Sequence, residues 1–385
     1  MNRIMKWMEQ ETVLCVAGVL AVLSCFVIHP DRQYISYIDF RTLGILFCLM
    51  AVVAGLNRLQ LFAWLAQKLL SKIHKTGQIA YILVMLCFVF SMLITNDVAL
   101  ITFVPFTIAI MHKLDDVVRK FWLLWIVLLQ TIAANLGSML TPIGNPQNLY
   151  LFERSGMQIG DFVLLMLPYS VMSFVMLSVW VGILSWISRK SGHGKTDGVT
   201  EKVYAAQTTV EPLSGHAGKL VAYGMLFVLS LLVVAHLLRF EILLGLVILY
   251  LLFFDRPVFG KIDYALLATF VVLFVLIGNL GRISVFRAFL QQMITGHETA
   301  TAICASQVMS NVPAALLLSG FTDQIPKLII GVNLGGLGTL IASMASLISF
   351  KYIAKEAPAV RGRYIARFTI VSLVFLAVLM VMQAL

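Results

Sequence analysis

Residues 137–148 read GSMLTPIGNPQN, two glycines and two prolines inside a run, 119–153, that is otherwise largely apolar. Proline removes a backbone donor and breaks a helix, so this run is a helix interrupted near its middle. Unsatisfied backbone in hydrocarbon costs several kcal/mol per group, so a break at membrane depth has to line a cavity or be buried in protein. The surroundings are membrane-like. Of 385 residues, 60% are hydrophobic and 12% charged. A soluble domain carries about 25% charged residues, enough to cover its surface. Half that number leaves most of the surface to lipid, which excludes a soluble enzyme or a nucleic-acid-binding domain.

Working outward, apolar runs predict spans at about 13–29, 40–56, 119–153, 160–188, 218–236, 240–254, 264–280, 324–350 and 365–384. Two further runs, 78–111 and 298–318, carry polar residues at their centres and read as hairpins that re-enter on one side. The expectation is an all-α membrane protein of about nine spanning helices and two re-entrant hairpins. The one long polar stretch, 189–217, is rich in Gly, Ser, Thr and charge and reads as a linker between residues 1–188 and 218–385.

The net charge of +10 is distributed in short loops. With the N-terminus inside, 21 Lys and Arg fall on inner loops and 7 on outer ones, a positive-inside bias that places the N-terminus and the linker in the cytoplasm of a plasma-membrane protein. The five cysteines lie in apolar runs without a paired spacing and read as small buried hydrophobes. Trp122, Trp125, Trp180 and Trp186 read as interfacial anchors, and 61–73 as an amphipathic helix on the inner face.

Three motifs occur twice, in the same order. Ile38-Asp39-Phe40 matches Ile262-Asp263-Tyr264. The pattern S-x-x-x-[ST]-N occurs at Ser91, Thr95 and Asn96 and again at Ser306, Ser310 and Asn311. The pattern N-L-G-x-x-x-T-x-I-[GA]-[NS] runs from Asn135 to Asn145 and from Asn333 to Ser343. The first pair falls on spans of opposite parity, so the halves read as inverted repeats, the build of many secondary transporters, with broken helices meeting at a central site. Freed carbonyls with Asn and Thr oxygens suit a small cation, while helix N-termini after each break suit an anion. An isolated Ser, Thr or Asn in a membrane helix commonly just bonds its neighbour. Two tips and two breaks in register argue for a site. Asp97 is the only acid in the interior of the apolar runs, the others lying at run ends, and reads as a functional carboxylate or a helix cap. No acid pair, Ser/His set or metal-ligand spacing is visible, so no enzyme and no cofactor is expected.

TPIGNPQN, the paired tips and NLGGLGTLI resemble the ion-transporter superfamily of citrate transporters, divalent-anion/sodium symporters and arsenite permeases. The resemblance implies transport of a small anion, a di- or tricarboxylate such as citrate or succinate, coupled to Na+ or H+. It implies cation sites at Ser91, Thr95, Asn96 and Gly144 and at Ser306, Ser310, Asn311 and Ala342. Substrate would meet Asn96, Asp97, Asn145, Pro146, Asn311 and Ser343. A homodimer with an elevator-like motion is also implied. Where carboxylate symporters carry threonine after each tip Asn, this chain has Asp97 and Val312, which is nearer the arsenite-permease branch. Arsenite or antimonite efflux and Na+/H+ antiport are therefore the alternatives.

Overall fold

The computed structural model describes residues 11–70, 73, 75–191 and 217–384. The helices in chain order are α1 (Thr12–Val27), α2 (Gln33–Tyr37), α3 (Phe40–Arg58), α4 (Leu61–Leu70), α5 (Thr76–Ile94), α6 (Asn96–Met111), α7 (Asp116–Ser138), α8 (Pro146–Ser155) and α9 (Ile159–Lys190). They continue with α10 (Ala217–Val234), α11 (Phe240–Phe254), α12 (Tyr264–Arg282), α13 (Ser284–Ile294), α14 (Glu298–Met309), α15 (Asn311–Ser319), α16 (Ile325–Leu334), α17 (Met344–Glu356) and α18 (Arg361–Ala384). No strand occurs among the described residues. Most of the predicted linker, 192–216, lies outside them.

Among the described residues seven helices are long and apolar enough to cross a membrane, against the nine spans expected; six lie in expected spans, and the seventh, α5, is the first limb of the run 78–111 expected to re-enter, its 19 helical residues being long enough to span. Two of the expected spans, α1 and α11, have only 16 and 15 helical residues. Two more are divided. The run 119–153 becomes α7, a short 3-10 turn at Pro142–Gly144, and α8; the run 324–350 becomes α16, a turn at Leu340–Ala342, and α17. The runs 78–111 and 298–318 each become two helices meeting at a sharp tip.

The doubled motifs take the same local geometry. Asp39 and Asp263 cap α3 and α12, accepting from the N–H of Thr42 at 3.0 Å and of Leu266 at 2.9 Å. At the tips, Thr95 has φ 72° and ψ 151°, and Ser310 has φ 72° and ψ 155°. This region is essentially reserved for glycine, and each residue held there costs about 1–3 kcal/mol. Asn145 and Ser343 are both extended, and each starts the helix that follows its break. The first limb of each hairpin packs along the first limb of the following broken helix, α5 on α7 and α14 on α16. Glycine permits both crossings. A side chain at Gly137 would collide with Phe88 O and Ser91 Oγ, and one at Gly335 with Ser306.

α3, α5 and α7 form the enclosed centre, whereas α1, α9, α10, α11 and α18 turn apolar side chains outward. Phe253 is 74% and Trp186 64% exposed, as lipid-facing positions are. Asp97 aside, the charged pairs lie toward the two ends. At one end lie Arg58 with Asp255, His112 with Glu356, and Lys219. At the other lie Asp31 with Arg282, Arg41 with Glu153, and Lys327 with Glu298. The Arg282 guanidinium, 2.8 Å away, holds the Asp31 carboxyl below the usual carboxylate range. This is a multi-pass membrane architecture. Two expectations are corrected. Trp122 is buried and donates to Ser188 Oγ at 3.1 Å instead of anchoring at the surface, because α7 is enclosed by its neighbours. Of the cysteines only Cys48 and Cys87 are buried; Cys15 and Cys25 on the outward-turned α1 are half-buried, and Cys304 on the outer face of α14 is exposed.

Candidate functional site

The helix breaks come together in a buried network of amides and hydroxyls. Asn96 opens α6 just past the strained tip. Its Oδ1 accepts from the N–H of Asp97 at 2.9 Å, and its Nδ2 donates to Asn135 Oδ1 at 3.2 Å. Asn135 also accepts from Ser343 Oγ at 2.9 Å, across 208 residues of chain, and donates to Ser346 Oγ at 3.4 Å. The matched Asn333 reaches back the other way. It donates to Asn148 Oδ1 at 2.7 Å, and its Oδ1 accepts from Asn145 Nδ2 at 3.5 Å. Each half's N-L-G asparagine therefore completes the other half's break. In the interior such groups need partners, and here the partners lock two interrupted helices to each other.

The breaks are stabilised differently. In the first, Asn148 Nδ2 spans Ser138 O and Thr141 O at 3.3 and 3.4 Å, and Thr141 Oγ1 donates to Met92 O. In the second, Gln307 does the work of a splint. Its Nε2 donates to Gly335 O at 2.9 Å and Leu337 O at 2.8 Å, and its Oε1 accepts from Thr339 N at 3.0 Å. Gly338, at φ 108°, lies where a side chain would strike that amide.

A cavity of about 550 Å³ reaches this network from the end that carries Arg58. Thr95, Asp97, Asn145 and Pro146 line its depth, with Leu46, Leu49 and Ile143 as apolar walls; Arg58, Gln60, Lys261 and Asp263 stand toward its mouth. Arg58 is held there by buried Asp255, which also accepts from Tyr223 OH at 3.0 Å. Two acceptors at the bottom, Asp97 Oδ1 and Asn145 Oδ1, are buried with no donor. Such a pair is suited to a proton, a small cation or a hydroxyl-bearing ligand.

Of the residues singled out from sequence, the cavity gathers Thr95, Asp97, Asn145 and Pro146, and hydrogen bonds connect Asn96 and Ser343 to them. Ser91 and Ser306 instead donate within their own helices, to Phe88 O at 3.0 Å and Ala302 O at 2.7 Å. Gly144 and Ala342 lie in the two short turns, and Ser310 Oγ donates to Asn311 Oδ1 at 3.4 Å. None of these six lines the cavity. Asn135, Asn333, Asn148 and Gln307 received no role from sequence, although the doubled N-L-G motif marked the first two. No group of His, Cys, Asp and Glu among the described residues could hold a metal ion through three or more ligands.

Comparison with known proteins follows the same lines. The profile of the CitMHS family, described as citrate transporter, matches residues 4–326. An uncharacterized transporter of Methanocaldococcus jannaschii is 32% identical over 334 residues, covering 87% of this chain and 86% of its own length. The inner membrane protein YbiR of Escherichia coli is 29% identical over 335 residues, 86% of this chain and 84% of its own. The silicon efflux transporter LSI3 of Oryza sativa is 28% identical over 158 residues, 41% of this chain and 31% of its own.

Proposed function

The chain belongs to the citrate transporter family, membrane transporters and not enzymes, and from that premise we propose a secondary active transporter of small anions, di- or tricarboxylates such as citrate or succinate, coupled to Na+ or H+. The observation that carries the reading is the cavity in which a strained hairpin tip and a helix break present Thr95, Asp97, Asn145 and Pro146 together. An ionised Asp97 repels each substrate charge 4 Å away by up to about 4 kcal/mol at an effective dielectric of ~20. That is roughly a thousandfold in affinity. A proton or Na+ at Asp97 removes the repulsion, so anion and cation favour each other's binding, which is what coupling requires. Na+ in such a cycle would use Ser91, Thr95, Asn96 and Gly144, with Ser306, Ser310, Asn311 and Ala342 as the counterpart in the second half.

The matched tips, caps and breaks support inverted repeats at 1–188 and 218–385, joined by a cytoplasmic linker, with nine spans and two re-entrant hairpins. In that orientation the cavity opens to the cytoplasm. We extend the same reading to a homodimer in the plasma membrane.

A second reading rests on the two unpaired acceptors, Asp97 Oδ1 and Asn145 Oδ1. They suit a hydroxylated solute such as arsenite or antimonite, or a cation exchanged for a proton, better than a bare carboxylate. The resemblance to a silicon efflux transporter is in keeping with this. Melting of the purified protein in detergent, titrated with citrate, succinate, malate, phosphate, sulfate and arsenite, with and without Na+ at about pH 5.5 and about pH 7.5, separates the two, since a ligand stabilises the state it binds. A carboxylate shift that depends on Na+ or pH supports the first reading. A response to arsenite, Na+ or pH alone moves the assignment to the second.

A further inference from the structure

Away from the cavity, the N-terminal end of α5 meets the C-terminal end of α9 in a groove with a polar head and an apolar tail. Helix α5 begins without a side-chain cap at Lys75. The N–H groups of Gln78 and Ile79 turn back onto Lys75 O at 3.0 Å, leaving those of Thr76 and Gly77 without an acceptor among the described residues. The first turn of a helix is a natural seat for an anion. A second feature points the same way. Thr76 is 2% exposed, lines the polar head of the groove, and its Oγ1 has no partner. Ser188 beside it accepts from Trp122 Nε1, leaving its own proton to donate. Lys75 and Arg189 flank the same space, and neither has an ion-pair partner among the described residues.

The polar head, about 230 Å³, adjoins a slot of about 390 Å³ that shares Gly77, Ser185 and Arg189 with it. The slot runs on past Ile82, Val181 and Gly182, and a side chain built at Gly182 would meet nothing within 4 Å. At Gly77 the opposite holds: a side chain would collide with Ser185, so the two helices touch at the head of the groove, and Tyr81 OH meets Ser178 Oγ at 3.4 Å along the slot, which leaves its open space beside Gly182. Exposed Ile183 and Trp186 on α9 place this tail on the lipid-facing side.

We propose that this groove is a binding site for an anionic phospholipid. The phosphate sits on the start of α5, taking the Thr76 hydroxyl and the free N–H groups, with Lys75 and Arg189 supplying charge, and one acyl chain fills the slot at Gly182. A free phosphate would satisfy the head but leave the tail unused. The bound lipid joins α5, whose other end is the strained tip at Thr95, to α9, so it steadies the hairpin that carries Asp97. This does not depend on which solute the protein moves.

The test uses the full-length protein in neutral detergent, titrated with short-chain phosphatidylglycerol, with phosphatidylcholine of the same chains, and with inorganic phosphate. Melting temperature and lipid adducts retained in native mass spectrometry are read together. Phosphatidylglycerol is expected to raise the melting temperature and to be retained, phosphatidylcholine to act at least about tenfold more weakly for want of net charge, and phosphate to do nothing. The double variant Thr76→Val, Arg189→Gln is expected to lose about tenfold or more in phosphatidylglycerol affinity. Gly182→Leu fills the slot while leaving every head-group residue in place, and the open space there lets it fold. It is expected to melt like wild type without lipid and to lose the lipid shift. Undiminished phosphatidylglycerol binding by Gly182→Leu overturns the proposal even if the double variant does not fold. Stabilisation by phosphate equal to that by the lipid, and lost in Thr76→Val, Arg189→Gln, overturns it too, in favour of a free anion in this groove; a phosphate shift that survives that variant belongs to the transport cavity.

Discussion

Asp97 stands two residues past Thr95, the tip residue whose backbone is held in a costly conformation, with one carboxylate oxygen buried and undonated at the bottom of the cavity. If it gates anion entry through charge, then anion binding to the wild type weakens as rising pH deprotonates it. Asp97→Asn should bind the anion without the wild type's loss of affinity at high pH, at the affinity the wild type shows in acid; binding assays at several pH values in detergent check this. Asn135 makes a different prediction. Asn135→Ala removes the acceptor shared by Asn96 Nδ2 and Ser343 Oγ, and a buried polar group left unpaired costs about 1–3 kcal/mol. A lowered melting temperature with the helical signal unchanged is the expected result. The tip residues were legible in the sequence because Asn96 and Asn311 sit in a doubled pattern. The partners of Asn135 were not, since a bond to Ser343 joins groups that no local spacing relates.

At the scale of elements, the first break announced itself through Pro142 and Pro146, and the second, which has no proline, only by alignment with the first. What the pattern did not reveal is how each break is held. Gln307 occupies the position matched by Met92, yet it alone binds three backbone groups of its interrupted segment. Gln307→Met is therefore expected to destabilise the protein by about 1–3 kcal/mol through the freed carbonyls. The reciprocal change at Met92 adds an amide with no such cradle in this structure and should not compensate; melting curves of the two single variants and the double variant decide it. Span boundaries were read closely where hydropathy sets them. The division of 119–153 and 324–350 into helix, turn and helix needed the geometry of the turns themselves.

For the molecule as a whole, the cavity has Arg58 toward its mouth, and at the opposite end a set of Arg41 contacts ties the same broken helix to its neighbours. Arg41 at the start of α3 donates to Glu153 Oε2 at 2.7 Å near the end of α8, and its second nitrogen reaches Val233 O at 3.1 Å and His236 Nδ1 at 2.7 Å. The proposed transport cycle would expose the site alternately to the two sides, and for that this tie would have to part. With the native cysteines replaced and a cysteine placed at half-buried Val98 in the cavity wall, an impermeant thiol reagent should label from the open end in the otherwise wild-type protein. Glu153→Gln should raise labelling from the opposite side several-fold; unchanged labelling from that side would show that the tie does not control exposure.

The mutual bracing of the two breaks also has a consequence for how the chain is made. Asn135 is synthesised 208 residues before Ser343, its partner. At about 5–20 residues per second, ribosomal elongation leaves the first break waiting roughly 10–40 s for its complement. During that interval its amides sit in the bilayer without their final partners, so the newborn first half needs shelter from the insertion machinery until the C-terminal third arrives. Neither half expressed alone should give a stable product, while the two supplied as separate chains have everything required to complete each other.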